Sequence, residues 1–315
     1  MGRVVLGYLG PYRLLNVIHT GQFSQIWQAY DDGKRELVGV KTVLEAFRKD
    51  REKIALLRQE FKVGRKVLHP KILEMRSFAI DRGLPYIAME WFAAPNLKSL
   101  VQQRGSELGY LLPEIIRQGA ESLAYFNHQG WVHCDVKPDN LLVSKDAVVK
   151  LIDFSLARRS CPAWLRKYMP RSKKVRGTRS YMSPEQIRGE AVDTSTDVYG
   201  FACTAFELIA GRPPFTGTSS NDLLNKHLKS SPPALEAADN NVSPEFSRLI
   251  RRSMAKDPAI RPRSMEEFYR ELQGIQVFKV TPAPPEKPYT ADSDPGRTAN
   301  AAGGAGAGQG SAGDD

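Results

Sequence analysis

Apolar and polar residues alternate over residues 12–43, which is the pattern of half-buried strands. The stretches "YRLLNVIHTG" and "FSQIWQAYDD" flank a short loop, and "ELVGVKTV" follows the turn signal "DDGK". Short alternating runs bounded by Gly and Asp are typical of hairpins. The pattern therefore predicts a hairpin and a third strand here, and a second strand pair in "MRSFAIDRG" and "PYIAMEWF".

Residues 48–68 follow a helical period instead. The apolar positions are spaced three, four and seven residues apart, at Ile54, Leu57, Phe61 and Leu68. This spacing predicts one face of an amphipathic helix. Beyond "AAPN" the helical period returns, for instance at Leu112, Ile116, Leu123 and Phe126. A strand-rich part followed by a helix-rich part predicts an α+β protein.

Residues 279–315 have the composition of a disordered tail. They are rich in Pro, Gly, Ala and Asp and contain almost no large apolar residues. Such a segment cannot bury enough apolar surface to offset the entropy lost on ordering. We therefore expect the folded part to end near residue 278.

The net charge of +10 is distributed unevenly along the chain. From Thr281 onward, five acidic and two basic residues give −3, which leaves +13 on residues 1–280. A basic surface attracts acidic partners or nucleic acid, but clustered charge is usually a solvated face. Because aromatic residues are not densely interleaved with the basic run, nucleic acid is not expected as a partner.

The cysteines and the apolar runs indicate the cellular compartment. Cys134, Cys161 and Cys203 are scattered, which favours neither a disulfide framework nor a metal knuckle. No apolar run approaches the roughly 20 residues of a bilayer span, and no long apolar signal stretch follows Met1. These features predict a cytoplasmic protein without membrane insertion.

The stretch "GWVHCDVKPDNLLV" places Asp135, Lys137 and Asn140 within six positions, and Asp153 follows in "VKLIDFS". Together they supply one base, one cation and two oxygen ligands for a metal ion. A transition state that spreads negative charge over phosphoryl oxygens is stabilised by a bound metal and by fixed cations. The set is therefore suited to phosphoryl transfer.

The chain resembles the eukaryotic-type (Hanks-type) serine/threonine protein kinases of bacteria over Tyr12–Gln273. The motifs that carry the resemblance occur in order: "VGVK", the helix "RQEFKVGRKVLHP", "HCD", "DFS", "GTRSYMSPEQ", "STDVYGFA" and "DPAIRPRS". The resemblance implies a bilobal protein kinase fold. Residues 12–91 would form a small β-rich lobe with one main helix, and residues 92–278 a larger helical lobe.

The resemblance also implies the role of each site residue. Lys41 would hold the α- and β-phosphates of ATP, and Glu60 would pair with it. Asp135 would accept the proton of the substrate hydroxyl, mainly by orienting that hydroxyl, and Lys137 would stabilise the transferred group. The residues implied as Mg²⁺ ligands are Asn140 and Asp153. The residues implied to contact the nucleotide are Ile18, Gly21, Ile26, Lys41, Met89, Glu90, Phe92 and Leu142.

Further positions match structural residues of that family. Met89 matches the gatekeeper, and Glu90 and Phe92 would offer backbone groups to adenine. Asp197 would anchor the catalytic loop, and Arg261 would be the buried partner of Glu185.

Three departures from the family pattern change what we expect. The phosphate-covering loop "IHTGQFSQI" keeps only Gly21, which predicts a weaker grip on nucleotide. Cys134 stands where an arginine usually receives an activation-loop phosphate, which puts control by loop phosphorylation in doubt. Ser155 replaces the glycine of DFG, which predicts a stiffer active conformation.

Between Phe154 and Met182 the chain carries nine basic residues and no acid. Like charges repel, so this loop either awaits neutralisation by an anionic partner or by its own phosphorylation, or it simply lies in solvent.

The sequence predicts a serine/threonine kinase that phosphorylates proteins, and itself, with Mg·ATP. Lys137 followed by Pro138, together with Thr178, is typical of the serine/threonine branch. The main alternative is a pseudokinase scaffold that binds protein partners with little or no catalysis, and a small-molecule kinase with a related fold also remains open. Pseudokinases typically lose the residue matched by Lys41, Asp135 or Asp153, and this chain keeps all three.

Overall fold

The computed structural model describes residues 7–104, 108–161, 165, 168–169 and 177–284. The first ninety or so of these residues form an antiparallel sheet with one helix packed on it. The strands are β1 Tyr8–Leu9, β2 Tyr12–Thr20, β3 Ser24–Asp31, β4 Glu36–Val43, β5 Met75–Asp81 and β6 Leu84–Glu90. Their order in the sheet is β1-β2-β3-β4-β6-β5. The five predicted strands are present, and β1 is a sixth strand that the hydrophobic pattern did not indicate.

Helix α1, Arg51–Gly64, crosses one face of the sheet and contacts β4, β5 and β6. It begins at Asp50, whose carboxylate accepts hydrogen bonds from the backbone of Glu52 and Lys53 and so caps the free N–H groups of the first turn. The prediction that the helix reaches Leu68 is wrong. After Gly64 the chain continues in tight turns, so Val67 enters the core and Leu68 is 64% exposed.

The second part of the chain is helical, as predicted. Its helices, among the described residues, are α2 Leu97–Arg104, α3 Leu112–His128, α4 Pro184–Ile187, α5 Thr194–Ala210, α6 Ser220–Lys229, α7 Pro244–Ser253 and α8 Met265–Gln273. Helix α5 is buried nearly all round, and α3, α7 and α8 pack against it. Gly211, at φ 68°, ends α5 in the left-handed conformation that glycine adopts without strain.

Two short antiparallel strand pairs accompany the helical lobe. Strands β8, Leu141–Val143, and β9, Val149–Leu151, form one pair, while β7, Trp131–Val132, pairs with β10, Arg158–Arg159. The segment before β5 is bonded to β9, because the Leu73 N–H donates to the Leu151 carbonyl at 3.0 Å. These bonds hold the edge of the first lobe against the second and define one side of the cleft between them.

The start of the predicted tail is attached to the helical lobe. The Lys279 N–H donates to the Asn241 carbonyl at 2.7 Å, and the Val280 N–H donates to the side chain of the same residue. Residues 285–315, on which the rest of the tail prediction falls, lie outside the described residues. Among the residues that are described, no helix combines the length and apolar character that a membrane crossing needs.

Candidate active site

A buried ion pair lies on the sheet side of the cleft. Lys41 projects from β4, where it pairs in register with Ile26 of β3 and Ile87 of β6. Its Nζ donates to both carboxylate oxygens of Glu60 on α1, at 2.8 and 2.7 Å. The Oδ1 atom of Asp153 lies 3.9 Å from the same Nζ. Residues from β4, α1 and the segment after β9 therefore meet at one ammonium group.

The environment sets the charge of these three groups. Burial alone would lower the pKa of Lys41, but the carboxylates of Asp153 and Glu60 outweigh it and raise that pKa. Burial raises the pKa of Glu60 to about 7, against the attraction of Lys41. Burial also opposes ionisation of Asp153, yet Lys41 and hydrogen bonds from Ser155 lower its pKa to about 2. At neutral pH the site therefore presents a cation beside an ionised carboxylate.

Asp135, Lys137 and Asn140, in the segment between β7 and β8, form a second group of site residues with Thr178. Asp135 accepts a hydrogen bond at Oδ1 from the Thr178 N–H at 2.9 Å, and its Oδ2 lies 2.8 Å from Lys137 Nζ. The same Nζ donates to the Thr178 hydroxyl at 2.7 Å. Asn140 donates from Nδ2 to the Asp135 carbonyl at 2.7 Å. Asn140 Nδ2 also reaches Asp135 Oδ2 at 3.3 Å. The Asp135 carboxylate is thus held by Thr178, Lys137 and Asn140, in a position where it can orient a hydroxyl-bearing group.

Asp197 at the start of α5 holds this loop in place. Its carboxylate is buried and accepts hydrogen bonds from the backbone N–H groups of His133 and Cys134, at 2.8 and 3.0 Å. Cys134 has φ 66°, a left-handed conformation that is costly for a residue with a Cβ and needs such fixing. Burial raises the pKa of its thiol well above the ordinary value, so the group is a neutral packing side chain and no nucleophile.

A link that the sequence analysis missed reaches the same loop from α4. Gln186 Nε2 donates to the Cys134 carbonyl at 2.7 Å, while Gln186 Oε1 accepts from the Ser183 N–H at 3.1 Å. Ser183 and Gln186 form a capping box at the start of α4. The S-x-x-Q spacing in "SPEQ" signals this cap, although nothing local signals its contact with Cys134.

Asn140 and Asp153 offer oxygen ligands suited to Mg²⁺. Asn140 donates from Nδ2 to the Asp135 carbonyl, so Asn140 Oδ1 is the oxygen available to a metal. Asp153 accepts a hydrogen bond from the Ser155 hydroxyl at Oδ1, so Asp153 Oδ2 is available. Mg²⁺ is usually held by one or two carboxylates together with substrate phosphates. Within the described ranges no group of three or more His, Cys, Asp or Glu could hold a metal alone. The donor set therefore fits a metal that arrives with phosphates.

Of the residues expected to contact the nucleotide, some pack in or against the core and others lie at the tip of the β2–β3 hairpin. Ile26, Phe92 and Leu142 are partly buried and pack against the main core, and Met89 is buried. Ile18 is 52% exposed at a break in the register between β2 and β3. Gly21 lies in the turn at the hairpin tip, where its N–H donates to the Ser24 carbonyl at 2.9 Å.

At and after the end of β6, Glu90 and Phe92 already use some of their atoms in hydrogen bonds within the protein. The Glu90 carboxylate accepts hydrogen bonds from Lys150 Nζ at 2.6 Å and from the Glu74 N–H at 3.0 Å. Its side chain is thus committed to structure, and its N–H donates to the Glu74 carbonyl at 3.0 Å. Of its backbone groups, the carbonyl is the one that could face a base. The Phe92 carbonyl accepts from the Ala94 N–H at 2.9 Å.

Gly64 lets α1 approach the site closely. A Cβ at this position would lie 2.4 Å from Met75 Cγ and 3.0 Å from Phe154 Cδ2, and neither atom is the free end of a flexible chain. We expect Gly64→Ala to lower the free energy of unfolding by about 1–3 kcal/mol, the usual cost of overpacking. Denaturant unfolding measures this.

Gly274→Ala is the matched control, because its Cβ would meet nothing nearer than the Glu271 carbonyl at 3.7 Å. We expect this variant to be as stable as the wild type or slightly more stable. Equal unfolding midpoints for Gly64→Ala and Gly274→Ala would show that stability does not require the close approach of α1 to Met75 and Phe154.

Comparisons with known proteins all find that this chain is similar to protein kinases. Residues 12–271 match the family model described as the protein kinase domain. The chain is 30% identical over 306 residues to the serine/threonine-protein kinase PknA of Mycobacterium tuberculosis, covering 95% of this chain and 68% of that one. It is 29% identical over 277 residues to PknB of Mycolicibacterium smegmatis, covering 87% of this chain and 44% of PknB.

Other relatives are also longer than this chain. It spans 40% of a probable serine/threonine-protein kinase of Streptomyces coelicolor, at 30% identity over 84% of its own length. Among solved structures, the kinase domain of Mycobacterium tuberculosis PknI superposes with a TM-score of 0.65 at 23% identity, covering 87% of this chain and 99% of that one. The PknI likeness bears on the fold alone, and the bilobal fold expected from the sequence is confirmed.

Proposed function

We propose that this chain, which belongs to the protein kinase family, transfers the γ-phosphoryl group of ATP to serine or threonine hydroxyls of proteins. One observation carries the proposal. Lys41 Nζ lies 2.7 Å from Glu60 and 3.9 Å from Asp153, so three residues that are far apart in sequence form a cationic site with an adjacent anionic ligand. A phosphate chain with its metal needs this combination of a fixed cation and hard oxygen donors.

The nucleotide would lie between the sheet and the β8–β9 pair. Lys41 would hold its phosphates, and Ile26, Met89 and Leu142 would border the base, with backbone groups of Glu90 and Phe92 facing it. Ile18 and Gly21 at the hairpin tip would cover the phosphates. Mg²⁺, held by Asn140 and Asp153, would neutralise charge on the phosphate oxygens.

Asp135 and Lys137 would act on the acceptor side. The Asp135 carboxylate is fixed by Thr178 and Asn140, which supports a role in orienting the acceptor hydroxyl and receiving its proton. Lys137, 2.8 Å from that carboxylate, would place its charge next to the transferred group. Electrostatic stabilisation and positioning supply most of the rate in this chemistry, and proton removal supplies less.

Two considerations support protein serine and threonine residues as acceptors. The Lys137–Thr178 hydrogen bond joins the catalytic loop to the segment before α4, which would form the platform for a peptide. The relatives PknA and PknB are named serine/threonine-protein kinases. Autophosphorylation would follow from the same chemistry. Cys134, Cys161 and Cys203 form no disulfide within the described residues, which supports a cytoplasmic location.

A scaffold without catalysis is the second candidate, and the hairpin tip favours it. Only one glycine remains in that loop, and Ile18 is largely exposed there. Such a protein would keep the fold and bind partners through it, and it would turn over little ATP.

The test is incubation of the full chain with γ-labelled ATP, Mg²⁺ and generic acidic and basic proteins. We expect label on protein, recovered as phosphoserine and phosphothreonine after hydrolysis. Absence of label with every acceptor, while the chain remains folded, would favour the scaffold. Label on tyrosine alone would contradict the proposed acceptor class.

A further inference from the structure

We propose that Gln186 is a positioning residue for phosphoryl transfer: by holding the Cys134 carbonyl from α4, it fixes the backbone on which Asp135 presents its carboxylate. This inference rests on the proposed function, since it concerns the step in which Asp135 orients the acceptor hydroxyl. Gln186 acts through the backbone of the loop between β7 and β8 and not on the substrate itself.

The peptide unit between Cys134 and Asp135 is held at both of its polar atoms. Its carbonyl accepts a hydrogen bond from Gln186 Nε2 at 2.7 Å, and its N–H, which belongs to Asp135, donates to His133 Nδ1 at 3.3 Å. The preceding peptide unit is held separately, because the Cys134 N–H donates to Asp197 Oδ1 at 3.0 Å. Asp197 therefore fixes the entry to Cys134, and Gln186 makes the shorter of the two bonds to the unit that leads into Asp135.

The conformation of Cys134 makes the bond to its carbonyl important. Its φ of 66° lies in the left-handed region, where a residue with a Cβ persists only when its surroundings fix it. Its thiol is a weak donor and bonds the Val132 carbonyl at 3.5 Å. If the Cys134 carbonyl were released, the peptide unit could rotate through ψ of Cys134 and φ of Asp135. The Asp135 carboxylate would then move relative to the Thr178 N–H, which now donates to it.

The direction of the Gln186 amide is itself fixed. Its Oε1 atom accepts hydrogen bonds from the Ser183 N–H at 3.1 Å and from the Ser183 hydroxyl at 3.2 Å. Because an amide carries its acceptor at one end and its donors at the other, these bonds direct the NH₂ group to the Cys134 carbonyl. A side chain at this position must therefore accept from Ser183 and donate to Cys134 at once, which the Gln186 amide does.

The same bond joins the loop to the acceptor side of the site. The segment 177–186 contacts the loop at two points, since the Thr178 N–H donates to Asp135 Oδ1 at 2.9 Å and Gln186 Nε2 donates to the Cys134 carbonyl. Tyr181, between these two points, is buried. The proposed peptide platform and the carboxylate that orients the acceptor hydroxyl are therefore one connected unit. We expect loss of this connection to affect turnover and not nucleotide binding.

The experiment is steady-state kinetics of the full chain with ATP and Mg²⁺, using casein and myelin basic protein as acceptors. Gln186→Met keeps a similar length but can neither donate to Cys134 nor accept from Ser183 as an amide does. We expect its kcat to fall by about 10-fold or more, because small displacements of a positioning group have large effects on rate. The KM for ATP should stay within about twofold of the wild-type value.

Gln186→Glu separates positioning from helix capping. A glutamate can still accept from the Ser183 N–H and so keep the capping box, but it presents an oxygen to the Cys134 carbonyl where a donor is needed. Its kcat should fall as in Gln186→Met, while its thermal unfolding midpoint should stay closer to that of the wild type. This variant also covers the case in which Gln186→Met does not fold.

Ser243→Ala is the control for stability alone. Ser243 caps α7, where its hydroxyl oxygen accepts from the Phe246 N–H at 3.1 Å. Loss of this cap should lower the thermal unfolding midpoint, because an N–H group of the first turn loses its partner. The kcat of Ser243→Ala should equal that of the wild type.

The outcomes distinguish this inference from the proposed function. A wild-type kcat in Gln186→Met would overturn the role of Gln186, and so would a loss confined to Gln186→Glu, which would reflect the added charge. An equal fall of kcat in Ser243→Ala would assign the effect to stability and would also overturn it. Failure of the wild type to label either acceptor would overturn the proposed function, and this inference with it.

Discussion

Replacing Asp135 by asparagine is expected to reduce phosphoryl transfer by about 10²–10⁴-fold, the range usual for a positioned acid–base group. The substitution preserves shape but removes the negative charge. It also places an N–H₂ group at one of the two oxygen positions, each of which now accepts from a donor: Oδ1 from the Thr178 N–H and Oδ2 from Asn140 Nδ2. The acceptor hydroxyl would lose its orienting partner, and the measurement is the initial rate with labelled ATP.

The matched control is Asp146→Asn, since Asp146 is an exposed turn residue between β8 and β9. This variant should retain full activity. ATP binding by Asp135→Asn should also be retained, because Asp135 faces the acceptor and not the proposed base or phosphate contacts. A normal rate in Asp135→Asn would remove this residue from the mechanism, and loss of ATP binding would show that it acts on nucleotide instead.

Replacing Arg261 by alanine is expected to lower the free energy of unfolding by about 3–5 kcal/mol, because it leaves a buried charge without its partner. The Arg261 guanidinium is fully buried and binds both carboxylate oxygens of Glu185, at 2.8 and 3.0 Å. It also donates to the Ser195 and Ala255 carbonyls. Burial would raise the pKa of Glu185, but Arg261 lowers it, so the carboxylate stays ionised.

Two comparisons test this explanation by denaturant unfolding. Arg248→Ala breaks an exposed ion pair in which Arg248 Nη2 lies 2.7 Å from the Glu245 carboxylate. It should lower the free energy of unfolding by at most about 1 kcal/mol. The double variant Glu185→Leu with Arg261→Met removes both charges and should be more stable than Arg261→Ala alone. If Arg248→Ala and Arg261→Ala were equally destabilising, burial of the pair would not explain its contribution.

The sequence predicted the elements whose signal is local. Strand alternation located β2 to β6 to within a few residues, because each run is bounded by Gly, Asp or Pro. The helical period located α1 but extended it to Leu68, since spacing alone does not detect the turns that follow Gly64. The short strand β1 carries too few residues to show a period.

The site residues were predicted from the family resemblance and not from hydrophobic periodicity. The resemblance named Lys41, Glu60, Asp135, Asn140 and Asp153 in advance, and the structure brings them to one cleft. Contacts specific to this chain could not be predicted in the same way. The bond from Gln186 to the Cys134 carbonyl and the contact of Gly64 with Met75 join residues whose proximity depends on the packed fold. Cys134 and Ser155 were visible as departures, but their hydrogen bonds were not.

A crystal structure of the full chain with Mg²⁺ and a non-hydrolysable ATP analogue tests the central claim most directly. The claim is that the cleft bordered by Lys41, Asp135 and Asp153 holds a metal–nucleotide complex. The account predicts phosphates at Lys41, the metal on Asn140 and Asp153, and the terminal phosphate toward Asp135. A cleft closed by its own side chains, with the analogue absent or bound elsewhere, would contradict it.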